Sequence, residues 1–132
     1  MDLMSLFGRP SKRFWTKEAS QKTLAAQLQS ISIVLEGLAD LSVGSEDDLK
    51  MEFFFRTDTR RKAMALAGDL EEVGCHTEQE RSTADEQLIV ITGRTPPMIM
   101  THTVLKMWTE RMCRLGYQRD CRFDGWGTTL GW

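Results

Sequence analysis

The chain has 132 residues, 41% of them apolar and 27% charged, with a formal charge of −2 at pH 7. That is enough for one domain with a buried core and no covalent staples. The slight acidic balance argues against general phosphate binding, which shows a basic excess.

Residues 1–15 interleave Leu3, Met4, Leu6, Phe7, Phe14 and Trp15 with Arg9, Lys12 and Arg13. This pattern predicts a partly ordered arm that lays its aromatic residues on the domain. Met1 to Gly8 has no leading basic region or long apolar run, so it does not read as a signal peptide. Thr16 to about Leu41 is predicted as a helix: Leu24, Leu28, Ile31, Leu35 and Leu38 recur at steps of three and four. Its stripe suits docking on its own domain or on a second copy of the chain. Ser42 to Leu49 is acidic and Gly-containing, and marks a boundary between an N-terminal arm, residues 1–48, and a domain, residues 49–132.

In Lys50 to Arg56 apolar residues alternate, with Met51, Phe53 and Phe55 on one side and Glu52, Phe54 and Arg56 on the other. At Thr57-Asp58-Thr59 the period becomes helical, and Ala63, Leu66, Ala67, Leu70 and Val73 form a stripe ended by Gly74. Cys75 to Glu80 reads as a polar edge strand. Gln87 to Gly93 reads as a central strand, apolar on both faces, with the first helix as the available lid over the exposed one. Thr95-Pro96-Pro97 reads as cap and first turn of a helix that runs to about Leu115, where Gly116 ends it. Tyr117 to Asp124 is the last strand. The fold class expected is α+β: a ferredoxin-like β-α-β-β-α-β sandwich with an additional N-terminal helix, the first and third strands central.

Chemistry is sparse. His76 and His102 have no partner at a recognisable spacing, and Cys75, Cys113 and Cys121 suit buried reduced thiols better than a zinc site. No catalytic residue, metal site or cofactor is expected, so the chain reads as a non-enzyme. With no apolar run of membrane-spanning length it is expected in the cytoplasm. Arg56, Arg60, Arg61 and Lys62 crowd the start of a helix, where cations oppose the macrodipole, and make a candidate anion site. An RNA-recognition sheet stacks bases on aromatic residues of its two central strands. Here only Phe54 is available, so direct sequence-specific nucleic-acid binding is not expected.

Phe123-Asp124-Gly125-Trp126-Gly127-Thr128 is the most specific stretch, with two glycines setting a large ring at a sharp turn. That ring suits either packing on the core or facing a partner. Together with the strand-helix Glu52 to Gly74 and the helix Met98 to Leu115, this stretch resembles the regulator of ribonuclease activity B family. These are small bacterial proteins with a ferredoxin-like domain, whose namesake binds ribonuclease E and inhibits its cleavage of RNA. The resemblance covers residues 49–129, lacks the namesake's acidic tail and adds an N-terminal helix. It implies a protein-binding modulator of RNA turnover, with Trp126, Asp124, Gly125, Gly127 and Phe54 as the candidate partner surface. The alternative from a different class is a ferredoxin-like domain that binds a small ligand or anion and has no nuclease partner.

Overall fold

The computed structural model describes residues 13–40 and 48–128. The element order is α1 (Lys17–Asp40), β1 (Asp48–Leu49), β2 (Met51–Thr57), α2 (Arg60–Glu72), β3 (His76–Arg81), β4 (Ile89–Arg94), β5 (Met98–Ile99), α3 (His102–Arg119) and β6 (Arg122–Thr128). The start of the arm, residues 1–12, and most of the acidic linker, residues 41–47, lie outside the described residues.

Four strands form an antiparallel sheet in the order β3-β4-β2-β6, so the first and third long strands are central as expected. The alternation in β2 is obeyed throughout: Met51, Phe53, Phe55 and Thr57 are buried, while Glu52, Phe54 and Arg56 are half-buried on the outer face. The buried face carries an aromatic cluster. Trp108 of α3 is its hub, with ring centroids 5.9 Å from Phe53, 6.1 Å from Phe123 and 5.9 Å from Trp126, all in edge-to-face arrangements. Each fully buried phenylalanine contributes about 1.5–3 kcal/mol, and edge-to-face pairing adds to that.

Thr59 caps α2, its side chain accepting from Lys62 N, and Gly74 (φ +90°) turns the chain into β3 as its position implied. Around α3 the expectations fail in three places. Thr95 does not cap it: its hydroxyl accepts from Met51 N at 2.9 Å. The chain after Pro97 instead pairs Met98–Ile99 with Asp48–Leu49 in a two-stranded ribbon, and Thr101 caps the helix by accepting from Val104 N. Gly116 is a buried helix residue rather than a stop. A Cβ there would lie 2.5 Å from Cys121 O and 2.8 Å from Phe55 Cε1, so the glycine serves close approach. The helix ends at Asp120, in the left-handed conformation (φ 57°, ψ 41°), which shifts the last strand to Arg122–Thr128.

The first helix differs from expectation in place. Ile31 and Leu38 are buried in the common core, with Leu24, Leu28 and Leu35 partly buried against it, and α1 packs mainly on α3 and beside β6. It therefore lies in the helix layer rather than as a lid over the outer sheet face, where Phe54 and Val90 remain half-buried. The stripe that could have met a second copy is used within the chain. Trp15, at 2% exposure, is laid on the domain as an aromatic arm should be.

Candidate functional site

On the outer face of β2, Glu52, Phe54 and Arg56 pair across to Gly127, Gly125 and Arg122 of β6. A β-bulge between Phe54 and Phe55 adds Asp124 to β6 and bends that strand. Gly125 takes φ +126°, a conformation that disfavours any side chain. Glycine stands at 125 and 127, the β6 positions paired with Phe54 and Glu52. Gln27 Nε2 is the nearest atom to a notional Cβ on Gly125, at 4.0 Å. Toward β4 the ring borders Thr92.

Charges frame this apolar spot. Arg56 and Arg122 both hold Asp124, the latter at 3.2 Å. Burial and then the neighbouring Arg56 charge push Arg122 below its ordinary pKa. Arg94 meets Glu52 at 3.4 Å. Beyond β4, Glu78 and Glu80 stand exposed opposite Thr92 and Val90. Phe54 thus occupies the middle of a face that is basic toward β6 and acidic toward β3.

Trp126 is on the other face. It pairs across from Phe53, stands edge-on to Trp108, and is half-buried, its Nε1 buried without a hydrogen-bond partner among the described residues. β2 separates it from Arg94 of β4, and β2 and β4 separate it from His76 of β3. Phe54, Asp124, Gly125 and Gly127 are brought together, while Trp126 supports their strand from beneath.

The four candidate anion-binding cations do not form one cluster. Arg60 and Arg61 are exposed at the start of α2, and Arg56 lies on the sheet. Lys62 is committed inside the protein. Its Nζ is 2.7 Å from Asp120 Oδ2 and 2.8 Å from Asp58 Oδ1. Burial alone would lower its pKa, but these hydrogen bonds outweigh it and raise the value. The Asp120 carboxylate also accepts from Phe14 N at 2.8 Å and Trp15 N at 2.7 Å. Burial would raise its pKa; the Lys62 and backbone hydrogen bonds together hold it below the ordinary value. Sequence reasoning missed this node, because Asp120 lies 58 residues from Lys62 and 106 and 105 from Phe14 and Trp15.

His76 and His102 are exposed at element ends. All three thiols are free and buried, and burial pushes Cys113 and Cys121 up to about 12, far from a nucleophilic thiolate. Among the described residues no group of His, Cys, Asp or Glu could hold a metal ion, and no helix is long and apolar enough to cross a membrane.

Residues 29–128 match the family model described as regulator of ribonuclease activity B. The chain belongs to that family. No curated protein matches the sequence. The match begins within α1 and ends with β6, so it takes in the whole sheet, α2, α3 and every residue of the Phe54 face. Lys62 and Asp120 fall inside it, whereas Phe14 and Trp15, which Asp120 holds, precede it. Members of this family are regulators of a ribonuclease, which makes a protein partner part of the family's role.

Proposed function

We propose that the chain is a non-catalytic regulator that acts in the cytoplasm by binding ribonuclease E and slowing its cleavage of RNA, with the Phe54 face as the contact. Membership of the regulator of ribonuclease activity B family supports the nuclease target. The observation that carries the choice of surface is the half-buried Phe54, whose β6 partner is the glycine at 125 and whose face carries Arg56 and Arg122. An aromatic ring framed by arginines has the composition of an interface hot spot. Asp124 sets the two arginines beside it, and Trp126 holds β6 in place from the core side. The anion-site alternative is the weaker reading, because Lys62 and Arg56 each already hold a carboxylate.

The test combines a ribonuclease E cleavage assay with a direct binding measurement on the purified components. Wild-type chain should form a complex and slow cleavage. Phe54→Ala should weaken binding about 5–30-fold, the range of a 1–2 kcal/mol hot spot, with the thermal midpoint little changed. Absence of a complex with the wild-type chain would dispose of the ribonuclease E assignment.

A further inference from the structure

A second feature lies on the helix side, away from the Phe54 face. Where α2 ends, the β4–β5 link and α3 enclose a cavity of about 210 Å3. Its walls are apolar: Val73, Pro96, Met98, Trp108 and Met112. Its polar side chains are those of Thr95, Cys75 and Arg111. The Thr95 hydroxyl oxygen accepts from Met51 N, and the residue is only 4% exposed. The Cys75 thiol is kept protonated by burial, partly opposed by the nearby charge of Arg111. Arg111 itself is exposed at the rim, with no ion-pair partner among the described residues. No carboxylate lines the cavity.

We propose that this cavity is a docking pocket for a protein partner, taking one large apolar side chain with an acidic residue next to it in the partner's sequence. The apolar walls receive the side chain, and Arg111 at the rim receives the carboxylate. The size decides between a side chain and a larger ligand: small-molecule sites usually run to about 300–1,000 Å3. The rim points the same way. Val73, one of the lining residues, is 36% exposed, an apolar edge that a covering protein would desolvate. Tryptophan, methionine and arginine are the residue types enriched at such contacts. The proposal rests on the reading that the chain works through protein contacts, but not on ribonuclease E being the protein that fills the pocket.

The test uses the full chain with 13C-labelled methionine methyl groups, titrated with the peptide acetyl-Asp-Phe-Asp-Asp-amide at millimolar concentrations. Met98 and Met112 methyl resonances should shift and saturate while that of exposed Met64 stays in place. The peptide with Phe replaced by Ala should leave them unmoved. Arg111→Glu, a surface change that should not alter the melting curve, should weaken the response about tenfold. The proposal is overturned if Met98 and Met112 do not respond, if Arg111→Glu responds like wild type, or if phenylacetate binds more tightly than the peptide. The last result would mark a small-ligand site. None of these outcomes bears on complex formation with ribonuclease E, which is measured separately through Phe54→Ala.

Discussion

Replacing Asp120 with Asn removes one negative charge and almost no volume, at a residue whose left-handed backbone Asn also tolerates. The carboxylate side chain is 11% exposed and accepts three hydrogen bonds, from Lys62 Nζ, Phe14 N and Trp15 N. Hydrogen bonds to a charged group contribute about 1.5–3 kcal/mol and neutral ones about 0.5–1.5, so each loses about 1 kcal/mol. The amide must also turn an NH2 toward one of its former donors. The expected loss is therefore about 3 kcal/mol, a large part of a typical 5–15 kcal/mol total. For a chain of this size that lowers the melting temperature by roughly 10 °C. Thermal and urea denaturation followed by circular dichroism read the loss directly, and Trp15 fluorescence should report its partial release. The pH dependence has a defined sign. Asp120 is depressed below its ordinary 3.8 in the folded state, so its stabilisation is present above that value and disappears as pH falls through the folded pKa. Asp120→Asn should lack this acid-limb term. A loss below about 1 kcal/mol, with an unchanged acid limb, would refute the assignment of Asp120 as the clasp of the arm.

Two glycines inside helices should respond in opposite directions to alanine. Gly68 has nothing within 4 Å of its notional Cβ, and Gly68→Ala should stabilise by about 0.5–1 kcal/mol in a urea titration. Gly116→Ala meets the Cys121 carbonyl at 2.5 Å and should destabilise by about 1–3 kcal/mol. Cys113 and Cys121, held near 12 by burial, should resist a disulfide exchange reagent at pH 8 until the protein is unfolded; rapid modification of the native chain would contradict their burial. Trp126→Ala removes the edge contact with Trp108 and should cost about 2–3 kcal/mol, below the 3–5 of a fully buried ring; unchanged stability would place the ring outside the core.

The elements legible in the sequence were those with a local cause. The period of two in Met51 to Arg56 and the stripe from Ala63 to Leu70 each report burial directly, and both were found within a residue or so of their bounds. Gly74 was readable because a positive φ after a helix is itself a local requirement. Gly116 has the same local appearance, but its reason is Phe55 and the Cys121 carbonyl, which no neighbouring residue announces. Thr95 followed by two prolines looks like a helix start, yet its hydroxyl serves the Met51 backbone across the sheet. Arg60-Arg61-Lys62, with Arg56 before them, read as an anion site because cations oppose the dipole at a helix start. One of the three does bind an anion, and it is the chain's own Asp120. The Phe54 face was half legible: alternation put Phe54 outward, but only the register of β6 sets two glycines beside it.

The clasp between Trp15 and Asp120 joins positions 105 residues apart, and that separation orders events during synthesis. The arm and α1 leave the ribosome before their acceptor carboxylate and the α3 surface they cover, which follow about a hundred residues later. At about 5–20 residues per second the wait is roughly 5–20 s. Through that interval Trp15, Ile31 and Leu38 have no native partner to cover them, while the β2-α2 unit can already form from contacts close in sequence. The arm is thus translated well before the surface that seats it. Nascent chains of this protein are therefore open to chaperones and to aggregation along the arm and α1 until α3 emerges.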